Sequence, residues 1–103
     1  MIQYTVTVSV PNELAREWET WMTEKHIDDV MATGKFISAH LWRLQSPEGS
    51  TYTRFQTQYA AESMEDYDDY RMNFAPSLQA DHSAVFSSKV TASREILESI
   101  KKW

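Results

Sequence analysis

Leu14-Ala-Arg-Glu-Trp18-Glu-Thr-Trp21-Met22-Thr-Glu-Lys-His26-Ile-Asp-Asp-Val30-Met31-Ala-Thr-Gly34-Lys35-Phe36 is the stretch on which the fold turns. Leu14, Trp18, Met22, His26 and Val30 recur every four residues, with Trp21 and Met31 beside them. This spacing lays one broad stripe along one side of a helix, apolar at every position except His26. A helix over 13–32 would be about 30 Å long. Asn12 is its expected N-cap and Gly34 its expected stop. Propensity leaves open a bend near His26.

The flanking sequence reads as β-structure. Residues 2–10 alternate, with Tyr4, Val6, Val8 and Val10 on one face and Gln3, Thr5, Thr7 and Ser9 on the other. Residues 36–45 predict a second strand and 51–60 a third, joined through a Ser46-Pro47-Glu48-Gly49 turn with Gly in fourth place. Ser63-Met-Glu-Asp66 matches a capping box and opens a second helix reaching about Phe74, with Met64, Tyr67, Tyr70 and Phe74 on one side. Pro76 opens another helical turn or two, with Leu78, His82 and Val85 inward and Phe86 adjacent. Residues 89–96 predict a fourth strand, and Leu97 to Trp103 a short helix. Strand, helix, strand, strand, helix, strand is the split βαβ order of the ferredoxin-like α+β class: a four-stranded antiparallel sheet with its helices on one face.

Composition narrows the function classes. The 103 residues suit one domain, 1–103, with one core, and 13% aromatics are enough to fill it. With no cysteine, thiol nucleophiles, iron–sulfur clusters and thiolate zinc sites are excluded. Net charge is −5 and the ten Lys and Arg residues are scattered, a poor match to phosphate backbones, so no nucleic-acid partner is expected. No apolar stretch approaches the roughly 20 residues of a bilayer span. The start alternates where a signal peptide would run apolar. A cytoplasmic location, no membrane partner and no cofactor are expected.

The two sheet faces differ in character. Val6, Val8, Leu41, Phe55 and Tyr59 are expected beneath the helices. The opposite face would carry Thr5, Thr7, Ser38, His40, Trp42, Arg54, Gln56, Gln58, Thr91 and Ser93. That face is polar yet short of Lys, Asp and Glu, as a wet, half-buried interface is. We read it as the surface that packs on a second copy through Trp42, Arg54 and Gln56, completing a barrel of two sheets.

Trp18-Glu-Thr-Trp21-Met22, His26-Ile27, Val30-Met-Ala-Thr-Gly34-Lys35-Phe36, Phe74-Ala75-Pro76, Asp81-His82 and Phe86 together resemble an uncharacterised bacterial family, domain of unknown function 4286, in the dimeric α/β-barrel superfamily. The resemblance implies that fold and a homodimer. It names no activity: the superfamily includes cofactor-free monooxygenases, haem-degrading enzymes, lactone isomerases and non-catalytic stress proteins. A haem-degrading site would resemble an Asn, a Trp and a histidine ligand together. Asn12 and Asn73 are the only asparagines, and neither falls where a cleft needs one.

His26 and His82 lie on inward helix stripes and are expected to meet above Phe55 and Tyr59. A histidine kept neutral by an apolar cleft can act as a base, so His26 is the candidate catalytic residue. Trp18, Met22, Phe55, Tyr59 and His82 are the candidate binding residues for a small apolar or aromatic molecule. The rival reading makes the same residues core, in a non-catalytic structural or stress-response dimer. His40 belongs to the other sheet face, so three histidines cannot converge and no metal site is expected.

Overall fold

The computed structural model describes residues 1–86 and 89–103. The alternating N-terminal segment forms β1 (Ile2–Pro11). It lies between β3 (Tyr52–Ala61) and β4 (Thr91–Glu98), with β2 (Ser38–Arg43) outside β3. Every neighbouring pair is antiparallel. The sheet order β2-β3-β1-β4 is that of the ferredoxin-like α+β fold, with the sheet open at both edges. Helices α1 (12–31), α2 (Met64–Asn73) and α3 (Ala75–Phe86) pack on the face that carries Tyr4, Val6, Val8 and Val10. The shortest molecular dimension is 20 Å, the depth of one sheet and one helix layer, so the other sheet face is bare.

Helix α1 is continuous but not uniform. A 3-10 turn at Asn12–Leu14 leads into an α-helix at Ala15–Trp21. A π-helical turn follows at Met22–His26, and Ile27–Met31 is α-helical again. The sequence gives the reason. Five positions spaced by four would drift about 160° around a regular α-helix. The wider π turn, in which Ile27 N–H donates to the Met22 carbonyl, takes up part of that drift. It holds Trp18, Met22, His26 and Val30 towards the sheet. Gly34 ends the helix as expected, with φ 75° and its N–H on the Met31 carbonyl at 3.1 Å.

The structure departs from the sequence reading at several points, each with a local cause. Asn12 does not cap α1. Its Nδ2 donates to the Ser50 carbonyl at 2.8 Å, and its Oδ1 accepts from Thr53 Oγ1 at 2.9 Å, so it ties the helix start to the β2–β3 hairpin. The turn closes one residue later than expected: Ser50 N–H donates to the Pro47 carbonyl, which puts Gly49, φ 82°, in third place. Strand β2 begins at Ser38, so Phe36 escapes the strand's alternation. It turns into the core against Tyr4, Tyr59 and Tyr70. The capping box forms, with Ser63 Oγ accepting from Asp66 N–H at 3.2 Å, but Met64 is left exposed. α3 runs for 12 residues, longer than expected, and buries Phe86 rather than Val85. The expected C-terminal helix is absent. Leu97 and Glu98 continue β4 opposite Gln3 and Ile2, where the β1 backbone supplies their partners, and 99–103 is irregular.

The core falls into two clusters. One gathers Tyr4, Val30, Phe36, Tyr59, Tyr67 and Tyr70; the other gathers Val8, Val10, Trp18, Met22, Phe55 and Phe86. Val6 and Ile27 touch both.

Asn12→Ala removes both side-chain hydrogen bonds from Asn12 to the hairpin and leaves the residue's N–H on the Thr51 carbonyl. We expect a loss of about 1–2 kcal/mol in urea unfolding with an unchanged m value. A stability equal to wild type would mean that water replaces those bonds without cost.

Candidate functional site

The division of the core is occupied by a cavity of about 320 Å³ between α1, α3 and the sheet. Tyr4, Tyr59 and Tyr70 line it from one cluster, and Val8, Trp18 and Met22 from the other; all six are buried. Gln79 and Ser83 on α3 and Ala92 and Arg94 on β4 also line it and are exposed, so its mouth lies between α3 and the β4 edge.

His26 and His82 both line the cavity, with ring centroids 6.0 Å apart. Each is placed by a different constraint. The π turn aims His26 at the cavity, where it stacks on Trp21 at 4.8 Å and 21°. His82 is held by Trp18, whose buried indole Nε1–H donates to His82 Nε2 at 2.9 Å. That bond fixes the tautomer: Nε2 is the acceptor, so the His82 proton is on Nδ1. Among the described residues His26 has no hydrogen-bond partner, and its ring nitrogens remain available to a guest. The two imidazoles therefore differ, one tied to the frame and one free.

Burial, then the nearby His82, pushes the His26 pKa down to about 4, with Lys25 adding to this and Asp29 and Asp81 opposing it. Burial and the Arg94 charge lower that of His82. Both are neutral at neutral pH, and His26 then offers an acceptor lone pair inside an apolar wall.

Of the residues singled out from sequence, Trp18, Met22, Tyr59, His26 and His82 line the cavity and Phe55 does not. Phe55 is 1% exposed and stacks beneath Trp18 at 4.6 Å, supporting the wall from below. Arg94 escaped the sequence reading. Alternation along β4 places it between Ala92 and Ile96 on the helix-covered side, opposite Val6, and that parity was its signal. Asn12 and Asn73 lie away from the cavity, and among the described residues no cluster of metal-ligating side chains is present. Among those residues no helix is long and apolar enough to cross a membrane.

The profile of one protein family, the domain of unknown function DUF4286, matches residues 1–100, and the chain belongs to that family. No curated protein matches the sequence. Solved structures share the fold. A single-site mutant of MhuD with two manganese protoporphyrin IX molecules bound per active site has TM-score 0.72 and 19% identity, covering 100% of this chain and 98% of that one. An ethyl tert-butyl ether D (EthD) family protein from Bacillus halodurans has TM-score 0.69 and 14% identity, covering 97% and 100%. A dimeric ferredoxin-like protein from an uncultured marine organism has TM-score 0.60 and 9% identity, covering 99% and 97%. At such identities the likeness is one of fold.

The histidines make stability depend on pH. Their folded pKa values lie below the ordinary 6.5 of the unfolded chain. Below pH 6.5 the unfolded chain therefore binds more protons than the folded one, and stability falls until the folded value is passed. We expect urea unfolding to lose about 1–2 kcal/mol between pH 6.5 and 5, before carboxylates titrate. His26→Gln should flatten this limb. A wild-type stability that is level across that window would show that His26 is not buried as described.

Proposed function

We propose that this DUF4286 protein binds a small aromatic or apolar molecule in the cavity between α1, α3 and the sheet, with His26 as its hydrogen-bonding anchor. The observation that carries this reading is the cavity itself. A helix stripe of Trp18, Met22 and Val30 has the bulk to close a core, yet about 320 Å³ is left open where the stripe carries its one polar residue. That volume is at the lower end of ordinary ligand pockets and matches a two-ring molecule better than a tetrapyrrole. The π turn supports the reading as well, since such turns concentrate at functional sites. A base with a pKa of about 4 is poorly matched to proton abstraction at neutral pH, so His26 serves as an acceptor. The MhuD variant and the EthD-family protein share this fold, and the MhuD variant binds two manganese protoporphyrin IX molecules per active site.

The protein acts as a homodimer through its bare sheet face. Across that face Trp42 Nε1–H donates to Gln58 Oε1, Gln58 Nε2–H to Gln56 Oε1, and Gln56 Nε2–H to Thr7 Oγ1. The ladder holds the side chains in one arrangement before any partner arrives, which reduces the ordering cost of association. Trp42 stacks on His40 at 3.9 Å and is still 47% exposed; Leu97 is 46% exposed. Arg54 and Glu95 are the charges on that face. The related marine protein, described as dimeric, has the same fold.

Two measurements test this function. Naphthylmethanol, a neutral two-ring probe, should quench tryptophan fluorescence on binding. Ala92→Phe, which puts a ring into the cavity from the β4 edge, should weaken that binding at least about tenfold with an unchanged melting temperature. A wild type that binds no aromatic probe leaves the structural dimer as the better reading. For assembly, light scattering should give a dimer mass for the wild type. Trp42→Glu should give a monomer, because it buries an unpaired carboxylate at a cost of several kcal/mol. A wild-type monomer at micromolar concentration would end the dimer proposal.

A further inference from the structure

We propose that the cavity selects an anion, an aromatic carboxylate whose charge sits on Arg94 and whose ring lies against Trp18 and Met22. This rests on the ligand-binding reading of the cavity and names its substrate class.

Among the described residues no Asp or Glu lines the cavity, and its two histidines are neutral at neutral pH. Arg94 is therefore the one fixed charge among the described residues that line it, in a chain whose net charge is −5. The ion pairs found among the described residues use other cations, namely Lys25, Lys35, Arg43 and Arg71. An arginine with no carboxylate partner among the described residues, at the mouth of an apolar cavity in an acidic protein, is an unfilled anion position.

Its geometry suits a carboxylate. Arg94 Nε–H donates to Tyr4 Oη at 3.0 Å, and Tyr4 is itself packed among Phe36, Tyr59, Tyr67 and Tyr70. The guanidinium is thus anchored on its Nε edge. Its two terminal nitrogens have no partner among the described residues and form a planar fork, the arrangement that takes both oxygens of a carboxylate. The charge acts inside the cavity too, since it lowers the basicity of His82 and opposes the rise that burial imposes on the Tyr4 and Tyr70 phenols. The wall formed by Val8, Trp18 and Met22 is apolar, and the His82 Nδ1–H donor and the His26 acceptor also line the cavity. An exposed cation and buried Trp18 and Met22 in one cavity suit a flat acid that enters ring first.

The test compares naphthoate with naphthylmethanol, alike in shape and different in charge, by fluorescence titration of wild type, Arg94→Gln and Tyr4→Phe. Wild type should prefer naphthoate by at least about tenfold at low salt. Arg94→Gln should lose that preference while binding naphthylmethanol within about twofold of wild type, which also shows that its cavity is intact. Tyr4→Phe should weaken the preference about two- to fivefold, because the guanidinium keeps its charge but loses the anchor on its Nε edge; an unchanged preference there would show that the anchor does not set the fork. Equal binding of the two probes by wild type, or an undiminished preference in Arg94→Gln, overturns the inference and leaves the cavity reading standing. Failure of wild type to bind either probe overturns both.

Discussion

The hydrogen bond from Trp18 to His82 is the contact on which the site depends. Trp18 is fully buried, and a buried indole without a partner would cost about 1–3 kcal/mol. His82 satisfies it from α3, a helix distant in sequence, and so fixes how α3 sits over α1. The same bond sets the His82 tautomer and leaves Nδ1–H as the group it can offer elsewhere. One donor–acceptor pair thereby joins two helices, supports a cavity wall and assigns a protonation state. Phe55 holds Trp18 from the sheet side, and the wall is rigid from both directions.

The cavity itself follows from a mismatch between helix and sequence periods. Apolar residues repeat every four positions along α1, whereas a regular helix turns every 3.6. The π turn at Met22–His26 relieves the mismatch at the middle of the stripe. It lies over the gap between the two core clusters, where a histidine replaces an aliphatic side chain. Sequence, local winding and missing packing coincide at one place. A core optimised for stability would fill that place, so its openness is the kind of local departure that accompanies a site.

The two faces of the sheet divide the labour. One is covered and carries the aromatic core. The other is ordered by side-chain hydrogen bonds running from Trp42 to Thr7. Near the centre of this second face the Thr5 hydroxyl is buried and lacks a partner among the described residues. Strand β4, at the sheet edge, is exposed along its whole length, including Ile96 and Leu97. It places Arg94 at the cavity mouth and Glu95 on the bare face, two roles that alternate along one backbone.

The chain determined by itself whatever rests on local period and local chemistry. Alternation in residues 2–10 marked the central strand, the four-residue stripe marked α1 and the inward position of His26, and the serine box marked the start of α2. Strand order and the contrast between faces followed from these. Where a residue answers to a distant partner, local reading failed. Asn12 is claimed by the hairpin rather than by its own helix, Phe36 leaves its strand for the tyrosine cluster, and Leu97 follows the β1 ladder instead of coiling. The different standing of His26 and His82 was equally invisible, because it depends on an indole 64 residues away. Arg94 was legible in its parity, yet its meaning required the cavity it borders. A cavity is a volume that no side chain occupies. It is decided by how three elements meet at long range, and no periodicity along the chain records it.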